Sequence, residues 1–300
     1  MAYQVYYNGL YLDEHRALIP AADRAFLVGE GLFETLRAYE RHVVFLDDHL
    51  KRMSEAASVL GLDFPVSMAR LKFLIYETLH VNRLSNAVIR VFITPEGSGI
   101  GDLDSPPQKI NLLISCRDFT PFPESYYREG VSCVIAKGIY AEMGLIAQMK
   151  STSYLTRVLT RRQAKSQGAF EGILLNAEGE VTEGSGSNLF VVQRGKIYTP
   201  PLSSGLLAGV TRAQVFGRAE REGIALEEKK LLPGDLWEAD ELFLTSTLKE
   251  VMPVSSVDGK KVRSQGMGPV TERLRTSYRE WVQWQVEQYL SDAAGMPELV

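Results

Sequence analysis

Several stretches of this sequence hold residue types whose spacing could do chemistry. In Glu183-Gly-Ser-Gly-Ser-Asn188 a carboxylate precedes a turn, and Gly184 and Gly186 let backbone approach a bound group closely. Read alone, Glu183 is an exposed glutamate beside a Gly-Ser turn. In Gly209-Val210-Thr211 a glycine opens a helix expected over Thr211 to Arg221. Backbone N–H groups and the positive end of the helix dipole converge there, as at an anion site. The Thr211 hydroxyl could add to that site or simply cap the helix. Lys150-Ser-Thr-Ser-Tyr154-Leu leads into a helix expected over Ser153 to Ser166. A lysine amine can bond to a carbonyl carbon and move protons, although most lysines so placed are surface cations opposed to the helix dipole. Arg52 reads by spacing as a solvated helix residue. The histidines are scattered and no His/Cys pair has ligand spacing, so no metal site is expected.

The elements that position these residues come from a chain of 300 residues, long enough for two ordinary domains. Its 45% hydrophobic and 23% charged content is that of a globular protein with a core. A net charge of −4 and a pI near 5.7 argue against a nucleic-acid partner. The pair Arg161-Arg162 reads as a solvated helix face. Met1 to Leu12 has no basic, apolar leader pattern, and no run of 18 apolar residues exists, so a cytoplasmic protein without membrane contact is expected. Cys116 and Cys133 sit in apolar runs, which predicts buried thiols in a reducing compartment.

Asn8-Gly9 predicts a tight hairpin between strands Gln4–Tyr7 and 10–12. A second strand pair is expected at 32–38 and 42–46, then a helix from about His49 to Leu60 with Asp47-Asp48 as its cap. Another helix, Ser67 to Leu79, precedes strands at 87–94 and 109–116. Residues 1–118 therefore read as a smaller α+β domain. Phe119-Thr-Pro-Phe-Pro123, with its two prolines, predicts a linker over 119–124. The larger domain, 125–300, opens with a strand at 131–135 and a loop to Lys150. Short strands follow at 172–175, 181–183, 189–193, 196–199 and 241–245, with a long helix over 270–289 and a frayed tail from Ser291.

The run from Glu183 through Asn188-Leu-Phe190, Ile197-Tyr-Thr199 and Leu207-Ala-Gly209-Val210-Thr211-Arg212 resembles the signature of the class IV aminotransferases. These comprise branched-chain and D-amino-acid aminotransferases and aminodeoxychorismate lyase. Gly29-Glu-Gly-Leu-Phe33-Glu-Thr35-Leu-Arg37, His49-Leu-Lys-Arg52 and Glu250-Val-Met-Pro253 through Val257-Asp-Gly259 fit as well, so nearly the whole chain is covered. The resemblance implies a two-domain α+β fold of the D-amino-acid aminotransferase-like type, PLP fold type IV, with pyridoxal 5'-phosphate as cofactor. It implies Lys150 as the Schiff-base lysine and proton carrier, and Glu183 as partner of the pyridine nitrogen, keeping the ring a strong electron sink. It also implies that Arg52, Gly209, Val210 and Thr211 cradle the phosphate, that Tyr154 bonds the phenolic oxygen, and that Leu207 packs on the ring. The Ser246-Thr247-Leu248 turn, which reads without the family as a strand end, would offer backbone N–H groups to a carboxylate. A homodimer acting on small amino and keto acids is implied.

Substrate choice would rest with Val28, Arg90, Thr247 and Leu248, and here the sequence departs from well-known members. Val88 stands two residues before Arg90 where branched-chain enzymes usually carry tyrosine, and Val28 stands where they place another. The arginine-histidine pair of D-amino-acid enzymes is not apparent. Thr35 occupies the place of a threonine linked to elimination in the lyases, whereas Val257-Asp-Gly259 and Gly268-Pro269-Val-Thr271 look closer to branched-chain enzymes. The leading expectation is transfer from a branched-chain or hydrophobic L-amino acid to 2-oxoglutarate. The alternatives are 4-amino-4-deoxychorismate lyase and, more remotely, a non-catalytic PLP-binding protein.

Overall fold

The computed structural model describes residues 2–97 and 104–294, which form two compact units. The first contains residues 1–120, 149–154 and 282–300, and the second 121–148 and 155–281. The segment bearing Lys150 thus groups with the N-terminal elements.

In the first unit, β1 (Gln4–Tyr7) and β2 (Leu10–Asp13) form the expected hairpin. Asn8 and Gly9 both adopt positive φ, 48° and 100°, as a tight primed turn requires. Then come α1 (Arg24–Val28), β3 (Leu32–Tyr39), β4 (His42–Val43), α2 (Leu46–Val59), α3 (Met68–Val81), β5 (Ala87–Glu96) and β6 (Lys109–Asp118). The strands make one antiparallel sheet in the order β2-β1-β6-β5-β3-β4. One face packs on α2 and α3 through Leu36, Ile89, Val91, Leu50, Met53, Leu71 and Ile75, all buried.

The strand expected at 42–46 stops at Val43, and α2 begins at Leu46 rather than near His49. Phe45, at φ 54°, breaks the strand and stands as N-cap without a side-chain bond. Asp47 and Asp48 lie inside the first turn, where their charge suits the dipole. The helix expected over Ser67 to Leu79 is α3, Met68–Val81, and Ser67 stands just outside it as N-cap, its Oγ accepting from the Arg70 N–H.

The second unit contains α4 (Glu124–Glu129), β7 (Val131–Tyr140), α5 (Gly144–Gln148), α6 (Leu155–Ser166), β8 (Glu171–Leu175), β9 (Val181–Gly184), β10 (Asn188–Gln193) and β11 (Lys196–Thr199). It continues with α7 (Val210–Arg221), β12 (Leu226–Glu228), α8 (Pro233–Trp237), β13 (Glu241–Ser246), β14 (Glu250–Val257) and β15 (Lys260–Lys261). The last helix, α9 (Pro269–Ala294), runs on into residues grouped with the first unit. The sheet order is β12-β11-β10-β13-β14-β7-β8-β9, with β15 on β14; β7 lies parallel to both β14 and β8.

Some elements differ from the sequence reading. A short helix, α4, follows Pro123 directly; β7 runs to Tyr140; and α5 occupies part of the loop expected before Lys150. Residues 291–294 continue α9 instead of fraying, while 295–300 lie outside the described residues. Glu241 explains the start of α9. Its buried carboxylate accepts from the Val270 N–H (3.0 Å), the Thr271 N–H (2.8 Å) and Thr271 Oγ1 (2.7 Å). Both cysteines are buried and unbridged, and burial pushes the Cys116 thiol up to about 12.

Glu34, on β3, fixes α2 to the sheet. Its carboxylate is 1% exposed and accepts from Arg52 through Nε and Nη2, each at 2.8 Å, with His49 Nδ1 also at 2.8 Å. Arg52 is itself only 13% exposed, so it is no solvated surface residue. Burial alone would raise the Glu34 pKa, but the Arg52 charge outweighs it and holds the group down at about 2. Burial lowers the His49 pKa, and the Glu34 charge opposes that shift only in part.

Both groups make the fold acid-sensitive. Below about pH 6.5 the unfolded His49 takes up a proton that the folded chain resists, so stability falls. Below about pH 4.5 unfolded Glu34 is protonated while the folded carboxylate stays ionised. About 3 kcal/mol should be lost between there and pH 2. Urea unfolding across this range should show that slope in the native protein. Glu34→Gln, which removes the charge matched to Arg52 and His49, should lose Glu34's share of that slope below pH 4.5.

Candidate active site

In the first unit the Lys150 segment is tied to the start of β3. The Phe33 N–H donates to the Lys150 carbonyl (2.9 Å), and the Thr152 N–H to the Gly31 carbonyl (2.8 Å). Thr152 Oγ1 donates to the Gly29 carbonyl (2.8 Å). Gly31 makes this approach feasible, because a Cβ there would lie 2.7 Å from Ala25 Cβ and 3.0 Å from Thr152 Oγ1. The motif Gly29 to Phe33 is therefore a docking strip for the lysine segment.

Lys150 is half-buried, with Nζ 4.7 Å from the Phe33 ring centroid and 5.9 Å from that of Tyr154. Tyr154 meets Phe33 edge-on at 5.5 Å, and the Arg90 guanidinium lies 5.3 Å from the same ring. Phe33 is thus the hub for Lys150, Tyr154 and Arg90. Its neighbours across the sheet are Phe92 and Leu113, an apolar row. Two residues along, and so on the same face, Thr35 stands opposite Arg90, which stands opposite Ser115. Val28, the last residue of α1, is 50% exposed.

In the second unit Glu183, on β9, is 3% exposed and has a charged partner. Arg157 Nη2, from the first turn of α6, donates to Glu183 Oε1 at 2.6 Å, and the Leu207 N–H reaches the same oxygen at 3.2 Å. Asn188 Nδ2 donates to Oε2 (3.2 Å) and to the Leu207 carbonyl (2.9 Å), joining β10 to the segment before α7.

Beneath the Glu183–Asn188 turn lies a second ionic cluster. Glu171 is fully buried and accepts from Lys249 Nζ (2.6 Å), Ser187 Oγ (3.1 Å) and Ser185 Oγ. Burial would raise its pKa, but Lys249 and the two hydroxyls hold it ionised. Lys249 Nζ also reaches the Gly186 carbonyl (3.3 Å). Residues 247–249 form the β13–β14 hairpin turn, closed by the Lys249 N–H on Ser246 Oγ (3.2 Å). One lysine therefore anchors both the Gly-Ser turn and the Ser246-Thr247-Leu248 turn.

The N-terminus of α7 is capped by Gly209, with no side-chain cap bond. A Cβ at Gly209 would collide with Asn188 Oδ1, so the position demands glycine. Val210 is buried, and the buried Thr211 side chain hydrogen-bonds Tyr278. Thr211 thus has a structural duty of its own.

The predicted residues divide between the units. Lys150, Tyr154, Thr35, Arg52, Arg90 and Val28 belong to the first, and Glu183, Leu207, Gly209, Val210, Thr211, Ser246, Thr247 and Leu248 to the second. Sequence reasoning gives no role to Phe33, Glu34, Arg157, Glu171 or Lys249. Phe33 and Glu34 lie inside the motif from Gly29 to Arg37; nothing in spacing marks Arg157, Glu171 or Lys249. Among the described residues no His/Cys/Asp/Glu group could hold a metal ion, and no helix is long and apolar enough to cross a membrane.

Comparison with known proteins agrees with this architecture. The family model for amino-transferase class IV matches residues 31–257. A putative branched-chain-amino-acid aminotransferase of Methanocaldococcus jannaschii is 33% identical over 288 residues, covering 95% of this chain and 99% of that protein. The solved branched-chain aminotransferase of the archaeon Thermoproteus uzoniensis, with norvaline, superposes with TM-score 0.88 at 31% identity, covering 97% of this chain and 98% of that one. A putative 4-amino-4-deoxychorismate lyase of Legionella pneumophila gives 0.82 at 25%, covering 89% and 97%. By sequence along most of its length and by its fold, type IV, this chain belongs to the class IV aminotransferases, whose cofactor is pyridoxal phosphate.

Proposed function

We propose that this protein moves the amino group of a hydrophobic, branched-chain-like L-amino acid to 2-oxoglutarate, with Lys150 as the covalent anchor of its cofactor. The observation that carries the reading is the setting of Lys150. Its backbone is bonded to Phe33 and its amine lies 4.7 Å from the Phe33 ring centroid, as an amine that must be held in place would. The similarity to branched-chain enzymes supports the substrate class.

The donor set fits pyridoxal phosphate in kind. There is an amine beside aromatic rings for its carbonyl carbon, a buried carboxylate for its ring nitrogen, and a glycine-capped helix N-terminus for its phosphate. When bound, the cofactor supplies a ring that takes up the electrons of a broken bond at the substrate's Cα. Lys150 would hold the cofactor as its covalent anchor and, as a free amine, would move the proton at the substrate's Cα. Glu183 holds the ring-nitrogen proton. Arg52, Gly209, Val210 and Thr211 would hold the phosphate, Tyr154 would orient the ring oxygen, and Leu207 would pack on the ring. Ser246, Thr247 and Leu248 would present backbone to a carboxylate, and Val28, Arg90, Thr247 and Leu248 would set the choice of substrate. The working form in this reading is a cytoplasmic homodimer.

A second reading, 4-amino-4-deoxychorismate lyase, is favoured by Thr35, which shares the Phe33 face of the sheet, and by the Legionella neighbour. In that case the Thr35 hydroxyl assists release of pyruvate.

Borohydride treatment of the purified protein should fix cofactor mass on the peptide containing Lys150; labelling of another lysine overturns the assignment. Lys150→Ala should lose several orders of magnitude in rate, since anchor and proton carrier vanish together. A hydrophobic L-amino acid supplied alone should convert the bound cofactor to its amine form, read from the absorption spectrum. Thr35→Val should then leave that half-reaction nearly unchanged. No such conversion with any amino acid, with pyruvate released from aminodeoxychorismate and cut roughly 10²–10⁴-fold by Thr35→Val, selects the lyase instead.

A further inference from the structure

The role given to Glu183 makes its other partners matter, and they are not symmetrical. Oε1 accepts from the charged Arg157 guanidinium at 2.6 Å and from the Leu207 N–H, while Oε2 accepts from the neutral amide of Asn188 at 3.2 Å. Arg157 is 13% exposed and Glu183 3%, so little water screens the pair. Arg157 also stands in the first turn of α6, seven residues after Lys150. A guanidinium here is not required merely to satisfy the carboxylate, because Asn188 and the Leu207 N–H already supply a neutral donor to each oxygen. It adds positive charge against a group whose reading is to hold a proton elsewhere.

We propose that Arg157 is a positioning residue that sets how strongly Glu183 holds the proton on the cofactor's ring nitrogen. The proposal rests on the reading of Glu183 as that nitrogen's partner. The Arg157 hydrogen bond engages Oε1 and fixes the plane of the carboxylate. Its charge draws electron density from the carboxylate and makes it a weaker acceptor. The electron demand of the ring is then a graded property, set below the level a bare buried carboxylate would impose. Arg157 touches neither cofactor nor substrate in this scheme and acts through Glu183.

The test uses the holoenzyme loaded with pyridoxal phosphate carrying ¹⁵N in its ring. The nitrogen's chemical shift, followed against pH, reports its protonation directly and independently of turnover. An opposite charge at this range typically moves a neighbour by about 1–3 pH units. That shift belongs to Glu183 itself; passed on through its carboxylate, Arg157→Gln should raise the ring-nitrogen titration by up to about one unit, or tenfold in proton affinity. Arg157→Lys, which keeps the charge, should stay near the native value. In a Glu183→Gln background the further change Arg157→Gln should have no effect on the titration. A purely structural ion pair between α6 and β9 would lower thermal stability in Arg157→Gln and leave the titration where it was. That result overturns the proposal, as does a shift that persists without Glu183. Should Arg157→Gln not fold, Arg157→Met is read in the same way. Glu183→Gln alone tests the underlying reading: if it leaves the nitrogen unmoved, the partner assignment fails. If it moves the nitrogen and Arg157→Gln does not, only the Arg157 proposal fails.

Discussion

A carboxylate taken out of water must be matched by a cation or by several donors, and this requirement organises both units. Glu34 is matched by Arg52 and His49, Glu171 by Lys249 and two serines, and Glu183 by Arg157, Asn188 and a backbone N–H. Glu241 is matched by the N-terminus of α9. In each case the partner arrives from another element, so the ionic match also fixes which elements lie together. Apolar packing makes the sheets and helices stable, but it is tolerant of small slips. A buried ion pair is not, because a displaced partner leaves an uncompensated charge costing about 3–5 kcal/mol.

The face of the first sheet that carries Phe33 joins two kinds of surface. The row Phe33, Phe92, Leu113 is apolar, and the row Thr35, Arg90, Ser115 beside it is polar with a single cation. A molecule lying across both would meet a greasy contact at one end and a hydrogen-bonding one at the other. Beyond the polar row the register sets Val88 between Arg37 and Arg117, so that side is more cationic than apolar. The strand period alone creates this banding, since every second residue faces the same way.

Much of this is legible in the sequence where the cause is local. The Asn8-Gly9 turn and the helices at 49–60 and 67–79 are decided by neighbours within a few positions, and the structure has them with ends shifted by a few residues. The start of α2 is hidden because Asp47-Asp48 offers an obvious cap, whereas the chain turns through a left-handed Phe45. Within the site a close approach is legible at Gly184, where a Cβ would lie 2.5 Å from Ser187 Oγ, whereas the equally tight Gly31 and Gly209 are not marked as such by the sequence. The illegible part is the set of partners. Arg157 lies 26 positions from Glu183, and Lys249 lies 78 from Glu171. Lysine and arginine are abundant, and nothing in their own surroundings distinguishes the few that are buried against an acid.

Lys249 has an implication for descent as well as for shape. It sits in the turn that follows β13, yet its amine ends beneath a different turn, on Glu171 and the Gly186 carbonyl. Replacing either member of the pair alone strands a charge in a dry interior, whereas replacing both by fitting apolar residues need cost little. Single steps away from this arrangement are therefore steep, and the gentler path requires two coordinated changes far apart in the gene. Related lineages are expected to hold this pair intact or to have exchanged both members, with few chains caught between.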